Sequence, residues 1–326
     1  MKDRMGWTVL YLNRATADLY AIMRQDAPPG LHLLFLDSAR PDEVQEKLPQ
    51  ADAILIADSA LTAQMIQQAS KLKMVQHQGV GYERIDVTAL AKAAVPLALC
   101  PAGTDEAVGE HTLLLILAVL KRLIAAHNAM VDGKWPRWEL RTSTWDLFGK
   151  TVGLIGFGRT GRATAKRLRG FEVRLIANDP YITLTERERV EFGATLVSKE
   201  TVLREADIVS LHVPLTEETR HLIGRPELQR MKPSAVLINV SRGGVVDQDA
   251  VCEALKSRRI LGAGLDVYSP EPLPPGHPLT TLDNVVLTPH VAAGTLDAFR
   301  TKLRFALGNI ARVMGGQEPL ERVLGT

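Results

Sequence analysis

The sequence predicts an α/β protein built from two doubly wound parallel sheets. Three observations carry this expectation. Short apolar runs alternate with amphipathic segments over the first hundred residues, an irregular aromatic stretch interrupts them, and the alternation restarts at an apolar run that breaks into glycines. A chain of 326 residues, 46% hydrophobic, exceeds what one core usually organises, so two domains are expected.

The first runs, TVLYL (8–12), LHLLFL (31–36), AILIA (53–57), KMVQH (73–77) and PLALC (96–100), read as strands of a first sheet. After Pro101 one long helix is expected from about Asp105 to Met130, closed by Asp132-Gly133 and followed by the irregular stretch GKWPRWELRTSTWDLFGK (133–150), where a boundary belongs. TVGLIGFG (151–158), EVRLIAND (172–179), ATLV (194–197), DIVSLHVP (207–214), AVLINVS (235–241), LGAGLDV (261–267) and NVVLTPH (284–290) then supply a second sheet. Leu296 to Met314 reads as a terminal helix that returns to the first domain, and PEPLPPGHP (270–278) as a proline-stiffened loop.

Composition narrows the function. Lys and Arg number 39 against 37 Asp and Glu, a formal charge of +2 with no long run of one sign, so neither a nucleic acid nor a membrane surface is an expected partner. Leu113 to Leu120 is the most apolar stretch, and Lys121-Arg122 end it well short of a bilayer span, which suits a buried helix. The start, MKDRMGWTVLYLN, lacks the apolar segment of a secretory signal. Cys100 and Cys252 show no metal-ligand spacing; idle thiols in a reducing cytoplasm are expected.

VGLIGFGRTG (152–161) sets glycines at 156, 158 and 161 between an expected strand and an expected helix, and Asp179 follows 18 residues beyond Gly161 at the end of the next strand. That is the order of a Rossmann unit. Gly156 allows the tight turn, Gly158 lets backbone amides approach a pyrophosphate, and Gly161 lets helix and strand pack closely. Asp179 is expected to accept hydrogen bonds from adenosine ribose hydroxyls, and because a carboxylate there repels a 2′-phosphate, NAD is expected over NADP. A turn or cap before Pro180 is the alternative role for Asp179.

Ligands of open α/β sheets gather outside the carboxyl ends of the strands. Arg242 after AVLINVS, Asp266 closing LGAGLD, Glu271 in SPEP and His290 after NVVLTP occupy such ends. Each alone could be a surface charge, cap or loop residue; together they suit reduction of a 2-keto acid. Arg242 supplies a fork of donors for carboxylate or carbonyl, and His290 is the acid that protonates the reduced oxygen. Glu271 beside the ring stabilises its charged form, and Asp266 is expected nearer the cofactor, accepting from the nicotinamide carboxamide.

These motifs together resemble the D-isomer-specific 2-hydroxyacid dehydrogenases. The resemblance runs through HQGVGYERID (77–86), TDEAVGEHTLLLILAVLKR (104–122), the glycine turn, DIVSLHVPLTEETRHLI (207–223), MKPSAVLINVSRGGVVDQDAV (231–251), LDVYSPEP (265–272) and LTPHVAAGT (287–295). It implies a flavodoxin-like substrate domain, residues 1–101 plus 291–326, with a Rossmann NAD-binding domain, 102–290, inserted in it. Arg242, Glu271 and His290 fall on the family's catalytic residues, and Val80 and Gly81 on the loop whose amides hold the substrate carboxylate. Thr104, Arg159, Thr160, Val213, Pro214 and Val240 join the glycines, Asp179 and Asp266 around the cofactor. The implied partners are a small 2-keto or 2-hydroxy acid and a second copy of the chain, a homodimer through the NAD-binding domain in which Trp135, Trp138 and Trp145 form an arm; a local core is the competing reading of those tryptophans.

Two departures stand out. Thr160 replaces a usual aliphatic residue, and Gly109 stands where alanine is usual, at a cost of about 1 kcal/mol of helix propensity. His111 and His127 are read as packing or surface groups, and Arg84 as a surface charge or a contact for a second anionic group. An NAD(H)-sensing corepressor-like protein and a phosphite-type dehydrogenase are the alternative functions.

Overall fold

A computed structural model describes residues 6–37 and 40–325. The chain divides into two compact units, Met1–Thr104 with Leu296–Thr326, and Asp105–Thr295. In chain order the first unit holds β1 (Trp7–Tyr11), α1 (Ala17–Asp26), β2 (Leu31–Leu34), α2 (Pro41–Lys47), β3 (Ala53–Ile56), α3 (Ala63–Gln68), β4 (Met74–His77), α4 (Val87–Lys92) and β5 (Leu97–Ala98). The second holds α5 (Asp105–Leu120), α6 (Leu123–Val131), β6 (Thr151–Ile155), α7 (Arg159–Leu168), β7 (Arg174–Asn178), α8 (Glu186–Phe192), β8 (Ala194–Leu196), α9 (Lys199–Glu205), β9 (Ile208–Leu211), α10 (Arg225–Arg230), β10 (Val236–Asn239), α11 (Gln248–Lys256), β11 (Gly262–Leu265) and β12 (Val285–Leu287). α12 (Leu296–Met314) completes the first.

Both sheets are parallel. The first has strand order β2-β1-β3-β4-β5 and the second β12-β11-β10-β9-β6-β7-β8. Helices cover both faces of such sheets, so β3, β9 and β10 are buried along their whole length and are mainly apolar without a polar alternation, Ser210 and Asn239 being their polar residues. Side chains of Thr16, Thr62, Asp86, Ser198 and Asp247 cap the helices that follow them, each accepting from an amide of the first turn. α12 has the predicted bounds and buries Leu303, Ala306, Leu307 and Ile310 with Val9, Leu55 and Met74 of the first sheet.

The single long helix expected from 105 to 130 is in fact two. Arg122 takes φ +48, the chain bends by 63°, and ion pairs from Lys121 to Asp146 and from Arg122 to Asp283 at 3.1 Å hold the corner. Among the described residues no single helix is long and apolar enough to cross a membrane. α5 is apolar because it is a core helix, burying Val108, Leu115, Ile116 and Val119. Gly109 also has a packing reason beyond helix propensity: a Cβ there would lie 3.1 Å from the Ala163 backbone, so its absence lets α5 lie close on α7.

The units change at 104/105 and 295/296, a few residues beyond the expected 101/102 and 290/291. Residues 102–104 stay with α12, where a Cβ on Gly103 would meet Ala298 O at 2.9 Å; Ala292 stays in the second core.

His212, just past β9, is buried with Nε2 2.9 Å from Ser210 Oγ, and burial pushes its ring down from 6.5 to about 4. A histidine kept neutral in the fold stabilises it above the unfolded value, and that contribution is lost as pH falls from 6.5 toward 4. Urea unfolding at pH 7 and pH 4.5 is expected to show a drop in stability smaller by roughly 2–3 kcal/mol in His212→Asn than in the wild type. Equal drops would contradict the assignment.

Candidate active site

The carboxyl ends of the second sheet gather the expected residues along one edge. In strand order they are His290 after β12, Asp266 after β11, Val240 and Arg242 after β10, Val213 and Pro214 after β9, Gly156 after β6 and Asp179 after β7. The chain runs from β6 outward through β7 and β8, then returns to start β9 on the other side of β6, which opens a crevice there. Gly156 has φ +91, and a Cβ on it would stand 2.5 Å from His212 O and 2.9 Å from Val213 Cγ1. A Cβ on Gly161 would meet Gly156 O at 2.4 Å, so the start of α7 can rest on the turn only without one. Gly158 is different: it is exposed, with nothing within 4 Å of where a Cβ would be.

Gly158 is the N-cap of α7 and gives the helix no side-chain cap. Arg159 pairs with Asp105 at 2.8 Å, and Thr160 is half-buried, its carbonyl accepting from Thr164. Asp179 is tied back to the turn: one carboxylate oxygen accepts from the Phe157 amide at 2.9 Å and the other from the Tyr181 amide at 3.0 Å.

At the other end of the edge, His290 Nδ1 lies 2.8 Å from Glu271 Oε2, and Glu271 Oε1 accepts from the Tyr268 amide at 3.0 Å. The histidine side chain is 48% exposed and its glutamate 28%. His290 occupies the left-handed region at φ +54, and cis peptide bonds precede Pro270 and Pro272 on either side of Glu271. Arg242 is half-buried; its Nη1 donates to Ser241 O at 2.9 Å while its own carbonyl accepts from Asn239 Nδ2.

Asp266, expected nearer the cofactor as acceptor for its carboxamide, directly follows β11. It is fully buried, and its carboxylate accepts from Thr288 Oγ1 at 2.5 Å and from the amides of Val291 and Ala292 at 2.9 and 2.8 Å, with His111 Nε2 at 3.5 Å. Burial drives its pKa upward, and the bonds from His111, Thr288 and the two amides outweigh that, holding it below the usual carboxylate range. These contacts tie Asp266 to the segment that follows His290. His111, read from sequence as a packing or surface group, belongs to this cluster; the available signal was an imidazole two residues before the apolar run Leu113–Leu120.

Val80, Gly81 and Thr104 belong to the first unit. Val80 is 50% exposed on the loop after β4, whose start is set by the Gly79 amide donating to His77 Nδ1 at 2.8 Å. Arg84 donates to Asp58 O at 3.1 Å, a loop-bracing contact. Thr104 Oγ1 is buried and has no hydrogen-bond partner among the described residues.

Comparison with known proteins decides the family. Residues 113–292 match the description "D-isomer specific 2-hydroxyacid dehydrogenase, NAD binding domain". The chain belongs to the D-isomer specific 2-hydroxyacid dehydrogenase family. It is similar to a glyoxylate reductase of Thermofilum pendens, 40% identical over 85% of this chain and 83% of that protein. A D-3-phosphoglycerate dehydrogenase of Archaeoglobus fulgidus is 37% identical over 82% of this chain, which spans 50% of that longer protein. Among solved structures, D-lactate dehydrogenase from Escherichia coli, 26% identical, superposes with a TM-score of 0.85 over 97% of this chain and 99% of that one.

This dehydrogenase therefore uses NAD, and its own residues fit the cofactor. The open side of Gly158, the uncapped start of α7 and the braced carboxylate of Asp179 are what a pyrophosphate and a ribose require. Gly158→Ala is expected to leave the urea midpoint unchanged and to weaken NADH binding, followed by nucleotide fluorescence, by about tenfold. Gly161→Ala must push α7 off the turn, at a cost of about 1–3 kcal/mol in stability. Similar midpoints for the two variants would contradict this division.

Proposed function

We propose that this enzyme reduces a small 2-keto acid to its D-2-hydroxy acid, with His290 as the acid, Glu271 as its partner and Arg242 as the donor to the substrate carboxylate or carbonyl. The observation that carries the reading is the 2.8 Å contact from His290 Nδ1 to Glu271, itself steadied by the Tyr268 amide. With Nδ1 committed to a carboxylate, Nε2 is the nitrogen able to exchange a proton with substrate. In reduction imidazolium Nε2 gives its proton to the carbonyl oxygen; in oxidation neutral Nε2 takes it from the hydroxyl. Glu271 stabilises the ring's positive charge in both directions without itself taking the proton. The Arg242 guanidinium brings planar, permanently charged donors to the same oxygen-rich substrate. When bound, NADH supplies the hydride.

The amides of Val80 and Gly81 are assigned to the substrate carboxylate, since glycine suits a loop that must approach a ligand and Val80 is 50% exposed there. Thr104 and Val240 are assigned to the border of the cofactor, and Val213 with Pro214 to its adenine side. A cytoplasmic setting belongs to the same reading; Cys100 and Cys252 are buried thiols.

A panel of 2-keto acids, including glyoxylate, hydroxypyruvate and pyruvate, assayed with NADH and NADPH in parallel, tests the reaction class and the coenzyme together. NADH is expected to be preferred, because Asp179 repels a 2′-phosphate. His290→Asn is expected to lower kcat by about 100- to 10,000-fold while NADH still binds, and Arg242→Lys to lower kcat/KM by roughly 100-fold. Reduction of no keto acid, or full turnover by His290→Asn, would refute the proposal.

The homodimer is assigned to the second unit. Val131, Trp135 and Trp138 are 72%, 74% and 63% exposed there, a cluster of apolar and aromatic anchors, whereas Trp145 packs against the local core. Trp138 also carries the Arg137 and Arg141 guanidiniums over its ring. Sedimentation is expected to give a dimer for the wild type and a larger monomer fraction for Trp135→Ser/Trp138→Ser; a wild-type monomer at micromolar concentration would overturn the assignment.

A further inference from the structure

Behind His290 lies a buried cluster to which the proposed proton transfer assigns no part. His111 projects from the middle of α5 with its side chain 11% exposed, its Nε2 3.0 Å from Thr288 Oγ1 and 3.5 Å from Asp266 Oδ1. Thr288 Oγ1 is itself 2.5 Å from that Asp266 oxygen. Counting protons fixes the direction. An ionised carboxylate only accepts, so the short contact takes the single hydroxyl proton of Thr288. Toward Thr288 Oγ1, His111 Nε2 must then be the donor. The chain of donors runs from His111 through Thr288 to Asp266.

On its far side Asp266 holds three consecutive amides. Its carbonyl accepts from the His290 amide at 2.8 Å, and its two carboxylate oxygens accept from Val291 and Ala292. His290 needs such a grip, because a non-glycine residue at φ +54 costs about 1 kcal/mol or more and stays there only when its surroundings over-determine it. The ring that meets Glu271 is therefore aimed by a backbone whose anchor is a buried carboxylate, and that carboxylate is supported from behind by the hydroxyl and the imidazole.

We propose that His111 is a positioning residue for the reaction: by donating to Thr288 and through it to Asp266, it fixes the backbone of residues 290–292 so that His290 keeps its contact with Glu271. The inference rests on His290 being the acid–base group. The contacts His111 makes are with Thr288 and Asp266, not with His290 or Glu271. Its loss leaves Asp266 buried with one supporting donor fewer, and the loop amides follow the carboxylate.

The test compares wild type, His111→Phe, His111→Gln, Thr288→Val and His290→Asn as full-length protein. Phenylalanine fills the ring's volume without a donor, and glutamine restores an N–H at similar reach. His111→Phe and Thr288→Val are expected to lower kcat about 30- to 100-fold with keto-acid KM and NADH affinity within about threefold of wild type, the signature of a misplaced group rather than a lost binding contact. In the cofactor-free protein, amide exchange at Val291 and Ala292 is expected to rise about tenfold in both variants. His111→Gln is expected to recover most of the turnover and the protection. Wild-type kcat and exchange in His111→Phe, or loss that glutamine does not rescue, would overturn the inference. Should His111→Phe not fold, Thr288→Val decides alone: wild-type behaviour there overturns it equally. His290→Asn separates the two readings, since its full turnover would sink the acid–base assignment itself, whereas its inactivity beside normal His111→Phe and Thr288→Val removes only the positioning role.

Discussion

A parallel sheet is directional, and that constraint governs the chemistry of the second unit. Every strand ends on the same edge, so residues as far apart in sequence as Gly156 and His290 share a rim without any contact being specified between them. Reversal of strand order on either side of β6 opens the crevice at one place on that rim. The rest is refinement of position. Gly156 and Gly161 bring α7 onto the turn, Asp179 is tied to the Phe157 amide, and β12 delivers His290 at the opposite end of the edge.

Apolar patterning made most of this legible. Buried parallel strands are near-continuous apolar runs, and runs such as AILI at β3 and the VLI that opens β10 read as strands once helical segments separate them. The terminal helix was readable because its amphipathic repeat starts after the last strand and stops before Gly315. The break between α5 and α6 was not. It depends on Arg122 entering the left-handed region with its guanidinium drawn to Asp283, 161 residues away, and neither fact leaves a mark in local sequence. Gly109 was legible as a weak helix residue and not as the contact point with α7, for the same reason.

At the site, strand-end position and side-chain chemistry pointed to Arg242, Glu271 and His290, and the last two meet. They also set Glu271 rather than Asp266 beside the imidazole, and Glu271 Oε2 lies 2.8 Å from His290 Nδ1. They could not show how completely Asp266 is buried, which depends on donors brought from separate strand ends. Nor could they reveal His111, whose partners Thr288 and Asp266 come from two other strand ends.

The difference between those two carboxylates explains why the cluster works. Asp266 is sealed, and a sealed charge is tolerable only if donors surround it; four protein groups do, and they hold it ionised below the ordinary range. Such an acid is a rigid strut, since moving it would strand its charge. Glu271 is only partly enclosed and accepts one backbone amide, so an oxygen remains for His290, the ring proposed to exchange the proton. Exchange the environments and neither task could be done: a surrounded glutamate would have no oxygen for the ring, and a partly exposed aspartate would let the left-handed backbone at His290 relax. Rigidity behind the ring and responsiveness beside it therefore call for two carboxylates, and burial assigns each its part.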